Sequence, residues 1–244
     1  VTVREALDRD GFAVVRGLLR AAEVADLAVA FDALVATART LPGPTDVGEA
    51  RFVVDAAPFR LHRVTWCGGA SDAIARYGPD PRFVHLAAEV LGSDDLVQLI
   101  QQAHFKLPGD GVDFGWHQDA SNRRYGSPEW NDVDGRGSFA QIALAIDPMS
   151  PDNGGLRFLP GTQRLGFVAD PRTGALPPSA LEGTDVVSPV LAPGDAVVFG
   201  PFVIHGSGPN TGTIPRRLFL QGYALPGANG RVYPGCGLGV ARRR

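Results

Sequence analysis

Apolar residues recur at helical spacing through Ala21–Ala38, where Val24, Leu27, Phe31, Leu34 and Val35 form one stripe, and this pattern predicts an amphipathic helix. Thr2–Arg9 reads as a shorter helix broken by Gly11, and Phe12–Val15 as a strand. The Pro- and Gly-rich stretch Leu41–Gly48 ends the long helix and predicts a mobile loop. Arg51–Asp55 and Arg60–Trp66 read as strands. Asp80-Pro81 then opens a helix carrying Phe83, Leu86, Ala87, Val90 and Leu91, which Gly92 closes. From Leu96 onward the texture changes to short β-rich runs separated by Gly, Pro, Asn and Asp: Leu96–Leu107, Val112–Gln118, Phe139–Ile146, Leu156–Leu159, Asp195–Phe199 and Arg217–Ala224. Such runs predict a mainly-β sandwich or barrel decorated by the N-terminal helices. With no internal repeat and no alternating βα pattern, residues 1–244 read as one domain, a mostly helical flank over 1–95 and a β core over 96–225.

Composition narrows the function classes. A chain of 244 residues, 44% apolar, buries a substantial core. No run approaches the roughly 18 apolar residues of a membrane helix, and the first ten residues are charged, so the expectation is a soluble, cytoplasmic protein with no membrane partner. A net charge of −3 excludes the basic footprint of a nucleic-acid binder, and the terminal Ala-Arg-Arg-Arg is too short to supply one. Two cysteines, Cys67 and Cys236, exclude a disulfide framework and a thiolate metal site, so any metal must be held by His and carboxylate. Of 23 basic residues only Lys106 is a lysine. Either compositional drift left one by chance, or that position demands an ammonium where a guanidinium does not serve.

Five histidines are present, and a lone histidine is more often a packing or surface residue than a ligand. His62 and His85 stay at that reading. His117 has a partner: in Phe-Gly-Trp-His117-Gln-Asp119 the imidazole and carboxylate are two apart, which on a strand places both on one face. A second His from another strand would complete a facial triad leaving open positions on Fe(II), and His205, between an apolar run and Gly-Ser-Gly-Pro-Asn, suits that place. His104 shares strand parity with Gln102 and Lys106 and is a candidate for the same cavity. The polar, aromatic stretch Ser121–Gly137 follows the motif directly, as a substrate loop would, and makes Tyr125 and Trp130 candidate substrate contacts.

Further segments extend the pattern: Asp10-Gly-Phe-Ala-Val-Val-Arg-Gly-Leu-Leu, Trp116-His-Gln-Asp, Asp152-Asn-Gly-Gly-Leu-Arg-Phe-Leu-Pro-Gly-Thr, Pro193-Gly-Asp-Ala, His205-Gly-Ser-Gly-Pro-Asn and Pro215-Arg-Arg. In this order the chain resembles the phytanoyl-CoA hydroxylase-like branch of the iron(II)/2-oxoglutarate dioxygenases. The resemblance implies a double-stranded β-helix (jelly-roll, cupin-like) core with Fe(II) on His117, Asp119 and His205, and 2-oxoglutarate and O2 as co-substrates. It implies that Arg216, at the family's spacing of eleven residues after His205, pairs with the distal carboxylate of 2-oxoglutarate. Ser207 would hydrogen-bond that carboxylate, Gln118 would line the pocket, and Lys106 is a further candidate there. Arg216 shares parity with Leu218 and Leu220, and Arg217 must point to the opposite face. Many relatives have His where this chain has Gln163, so no role is assigned to it, and the presence of Asp119 disfavours halogenation.

Small bacterial members of the family commonly tailor specialised metabolites. The implied reaction is hydroxylation or oxidative ring closure of a small polar molecule, with a sugar-containing antibiotic intermediate, including orthoester formation, as the finer expectation. Two other classes stay open. One is a metal-dependent cupin-type isomerase or hydrolase, which needs neither Arg216 nor oxygen. The other is a non-catalytic binding module on the same barrel.

Overall fold

The computed structural model describes residues 2–183 and 185–244. Helix α1 (Val3–Asp10) begins with a capping box: the Thr2 side chain accepts from the Glu5 backbone N–H, and the Glu5 carboxylate accepts from that of Thr2. Gly11 ends the helix in the left-handed conformation at φ +85°, where a side chain would also collide with Val203. The chain continues through β1 (Phe12–Val15) into α2 (Ala21–Ala38), which buries Val24, Leu27, Phe31 and Leu34 as its periodicity requires. The stretch 41–48 is not loop throughout, because Thr45–Val47 forms β2 by pairing with β3 (Ala50–Ala56), which turns into β4 (Phe59–Thr65). After the short α3 (Asp72–Ala75), α4 (Pro81–Leu91) is capped by the Asp80 side chain at one end and left-handed Gly92 at the other.

The remaining elements are β5 (Asp95–Lys106), β6 (Phe114–His117), α5 (Asp119–Asn122), β7 (Phe139–Ala145), β8 (Arg157–Phe158), β9 (Ala196–Phe199), β10 (His205–Ser207), β11 (Arg216–Ala224) and β12 (Val240–Arg243). They form two antiparallel sheets. The larger runs β1-β9-β7-β11-β5-β4-β3-β2, with β12 also on β5, and the smaller runs β6-β10-β8. The N-terminal third thus supplies four strands of the main sheet as well as helices. The architecture is a double-stranded β-helix with helices outside.

Strand alternation sorts β11 between two cores. Phe219 and Tyr223 point outward into the cluster under α2 and α4, where the Phe219 ring meets Phe31, Tyr77 and Phe83 edge-on at 6.0–6.1 Å. Leu218 and Leu220 point inward with Phe199, Leu99 and Ile100. Between this inner face and the smaller sheet lies a cavity of about 330 Å³, lined from both sheets. Among the described residues no helix is long and apolar enough to cross a membrane.

Candidate metal centre

The two strands that carry His117 and His205 are hydrogen-bonded neighbours, and the two histidines are register partners with ring centroids 4.3 Å apart. Each ring is oriented through Nδ1, by the Gly115 carbonyl at 2.8 Å and the Val203 carbonyl at 3.1 Å. A donated Nδ1–H leaves the Nε2 lone pair free. Asp119 is not on the strand. The strand ends at His117, Gln118 stays extended (φ −111°, ψ 133°), and Asp119 opens α5. That one extended residue preserves the same-face relation expected of strand positions two apart. Asp119 Oδ1 lies 3.8 Å from His117 Nε2 and 4.0 Å from His205 Nε2.

The donor atoms of the three residues lie within 4.8 Å of one another, and they suit a divalent metal. Asp119 Oδ2 is buried with no hydrogen-bond partner, an arrangement that costs free energy unless a cation takes it. The donor set of two imidazoles and one carboxylate leaves positions open and fits Fe(II). The electrostatics favour metal-ready forms. Burial, with His117 alongside, pushes the His205 imidazole down to about 4, so it is neutral. Burial alone would raise the Asp119 carboxyl, but His205, His117 and Arg123 together hold it below the ordinary value.

Arg216 lines the same cavity and is 1% exposed. Its Nε donates to the Gly154 carbonyl at 3.1 Å, and its terminal nitrogens have no hydrogen-bond partner among the described residues. Among the described residues no carboxylate forms an ion pair with it, and burial lowers its pKa to about 10. Ser207 lines the same cavity. Arg217, on the opposite face, is held by Asp147 at 2.7 Å and Asp32 at 2.6 Å. His104 also lines the cavity. Its Nε2 meets Gln102 Oε1 at 2.9 Å, and burial, then the cations Arg63, Arg216 and Lys106, depress its pKa well below the ordinary value.

Four expected site residues are placed otherwise. Gln118 does not line the cavity: its amide donates to the carbonyls of Gly166 and Phe202 and accepts from the N–H groups of Val168 and Ala169, so its capacity is spent fastening that loop. Tyr125 turns away, bonded to Asp132 at 2.9 Å and packed on Phe167 and Phe202. Trp130 is buried against Phe139 and donates to the Gly137 carbonyl. Burial of the two rings, with their polar ends satisfied internally, fixes the loop and leaves neither free for a substrate.

Lys106 is also off the cavity wall, and its position answers the question of the lone lysine. The ammonium donates to Ser207 O at 2.9 Å, to Ser207 Oγ at 2.6 Å and to the Gly208 carbonyl. Three oxygens around one point suit three tetrahedral donors, and a planar guanidinium cannot match them. The fit is close, since a Cβ on left-handed Gly154 would sit 2.8 Å from Lys106 Cδ. Burial lowers the Lys106 pKa to about 7. Lys106→Met should strand those oxygens and cost about 2–3 kcal/mol of stability, measurable by urea unfolding. A loss below about 0.5 kcal/mol would show that the oxygens are satisfied without it.

His62 binds Asp55 near the surface, His85 is exposed, and Gln163 ties to carbonyls at the end of α1. The cavity also draws on residues that sequence reading missed, chiefly Arg63, Arg123, Gln141, Arg231 and Tyr233. Only Arg123, four residues after Asp119, carried a signal through its nearness to the motif.

Comparison with known proteins agrees with this geometry. The family model of phytanoyl-CoA dioxygenase matches residues 7–218. An ectoine dioxygenase of Nocardia farcinica is 30% identical over 238 residues, covering 87% of this chain and 74% of its own. Among solved structures, EvdO2 of Micromonospora carbonacea var. aurantiaca complexed with 2-oxoglutarate has a TM-score of 0.67 at 25% identity, covering 96% of this chain and 94% of that one. EctD of S. alaskensis in its apoform has a TM-score of 0.72 at 23% identity, covering 92% and 77%, a likeness of fold.

Proposed function

The chain belongs to the phytanoyl-CoA dioxygenase family of Fe(II)- and 2-oxoglutarate-dependent enzymes, and from that premise we propose that it oxidises a small polar molecule, with His117, Asp119 and His205 holding the metal and Arg216 and Ser207 the co-substrate. The observation that carries this reading is the buried, carboxylate-free guanidinium of Arg216 in the same cavity as the triad. A metal-dependent isomerase or hydrolase leaves that charge desolvated and unpaired, which is costly. The distal carboxylate of 2-oxoglutarate answers it with a forked, charge-assisted pair. Fe(II), when bound, supplies the redox chemistry that couples decarboxylation of 2-oxoglutarate to oxidation of the substrate by O2. The apolar walls, Phe114, Leu156, Phe199, Leu218 and Leu220, keep the reacting groups from bulk water.

The finer expectation of a sugar-bearing antibiotic intermediate rests on compact size and an aromatic, Asn- and Asp-bearing loop. Tyr125 and Trp130 of that loop are turned away from the cavity and supply no stacking surface, so hydroxylation or ring closure of a small polar molecule is the reading we keep, and the substrate class follows from the residues that do line the wall.

The test is anaerobic addition of Fe(II) and then 2-oxoglutarate. A weak visible metal-to-ligand charge-transfer band is expected, followed on admission of oxygen by release of succinate. An isomerase, a hydrolase or a binding module gives neither, and a missing band would sink the oxygenase assignment.

A further inference from the structure

Five arginines line the cavity, Arg51, Arg63, Arg123, Arg216 and Arg231, against one carboxylate, Asp119. Arg51 is paired with Asp46 at 2.9 Å. Fe(II) and the 2-oxoglutarate dianion carry equal and opposite charge, so loading both leaves the remaining excess of cations where it was. A neutral substrate would close the cavity over unpaired guanidinium groups, an arrangement that low-dielectric surroundings penalise.

We propose that Arg123 and Arg231, gathered on the ring of Tyr233, form a subsite for an oxyanion, a carboxylate or phosphonate-like group, on the substrate. This rests on the oxygenase reading and names its substrate class. Arg123 is 7% exposed, its guanidinium lies 4.9 Å from the Phe139 ring centre and 5.1 Å from that of Tyr233, and its Nε and Nη1 are buried with no hydrogen-bond partner. No carboxylate forms an ion pair with it among the described residues. The Arg231 guanidinium lies 5.2 Å from the same Tyr233 ring and donates to the Asn122 carbonyl at 3.1 Å, its one partner among the described residues. The Tyr233 hydroxyl is likewise buried without a partner. Two cations and a phenol thus meet on one wall with unused donors, and among the described residues neither arginine forms an ion pair.

The subsite is distinct from the place of 2-oxoglutarate. Arg216 opens β11 and Arg63 on β4 is the register partner of His104, whereas Arg123 lies on the ring of Phe139, which pairs with Ala224 at the opposite end of β11. Asn122 links this wall to the metal ligands, since its side chain donates to Asp119 Oδ1 at 3.3 Å while its carbonyl accepts from Arg231. An acid held there places a carbon a few bonds away beside the triad. Arg231 and Tyr233 also lie beyond residues 7–218, the part that matches the family model, which suits a feature that selects the substrate rather than one that serves the shared chemistry.

The test is anaerobic calorimetry on the Fe(II) complex at saturating 2-oxoglutarate, titrated with methylphosphonate and propionate and, in parallel, with neutral dimethyl methylphosphonate and propionamide. The acids should bind saturably and their neutral counterparts should not. Arg123→Gln and Arg231→Gln should each weaken acid binding about ten- to a hundredfold, while Arg172→Gln, at an exposed arginine outside the cavity, keeps it. The charge-transfer band is recorded on every variant to show that the fold and co-substrate site are intact. Should Arg123→Gln lose the band, Arg231→Gln, whose side chain is only half-buried, carries the decision. Equal binding of acids and neutral counterparts, no acid binding to a wild-type complex that shows the band, or undiminished binding in the arginine-to-glutamine variants of this wall would overturn the subsite. A wild type without the band would instead overturn the oxygenase reading.

Discussion

Asp119→Ala should abolish 2-oxoglutarate-dependent oxidation while leaving the metal-free protein folded. Asp119 is the one anionic ligand of the cluster, and its Oδ2 has no partner in the protein, so little native bonding is lost when the side chain is removed. What is lost is metal affinity. Loss of an outer partner of a ligand typically costs 10–100-fold in metal affinity or activity, and deletion of a ligand should cost more, about 100-fold or beyond. Two measurements separate the effects. In the wild type, added Fe(II) should raise the unfolding midpoint, because a ligand that binds only the native state stabilises it by mass action. In Asp119→Ala that rise should vanish, the midpoint without metal should stay near wild type, and succinate release should fall to background. His117→Ala and His205→Ala should share the loss of activity. Full activity in Asp119→Ala would refute the metal assignment.

The elements most legible in the sequence were those with long periodicity and marked ends. Helix α2 stands where its burial stripe places it, and the Asp80-Pro81 to Gly92 helix stands where burial stripe and capping residues agree. Strand β10 has only three residues, His205–Ser207, too few to show alternation, and exists because it pairs with both β6 and β8. Likewise β2 sits in a stretch of Pro and Gly that local composition assigns to loop, and tertiary pairing with β3 decides otherwise.

The site divides along the same line. The His117–Asp119 spacing was informative even though Asp119 starts a helix, since the geometry depends only on Gln118 being extended. Nearness along the chain misled for Tyr125 and Trp130, and the family resemblance for Gln118; the polar groups of all three find internal partners before any ligand arrives. The excess of arginine on the cavity wall was not legible at all. Sequence gives the charges, but whether a charge is paired depends on contacts between distant segments: Arg217 finds Asp147 and Asp32, while the Arg123 guanidinium lies on aromatic rings with no ion pair among the described residues.

Arg216→Lys should raise the 2-oxoglutarate requirement at least about tenfold, within the roughly 1.5–3 kcal/mol of a charged hydrogen bond, whereas Arg217→Lys should leave it nearly unchanged. The two residues are adjacent, alike in charge and on one strand, and only the alternation of side chains separates them. Arg216 faces inward, anchored through Nε to the Gly154 carbonyl, with its terminal nitrogens free for a carboxylate. A lysine has no fork, so it cannot keep the anchor and hold both carboxylate oxygens in one plane. Arg217 faces outward, donating to Asp147 through both Nε and a terminal nitrogen and reaching the Ala28 carbonyl and Asp32 with the other. Lysine there keeps the charge but loses most of these bonds, so the expected change is a lower unfolding midpoint, about 1–3 kcal/mol of stability. The pair of variants should therefore separate cleanly, Arg216→Lys shifting co-substrate titration with the midpoint near wild type and Arg217→Lys doing the reverse. If the larger loss of 2-oxoglutarate affinity follows Arg217, the register Arg216 opposite Lys106 is off by one residue, and the face of every residue from Arg216 to Ala224 reverses with it.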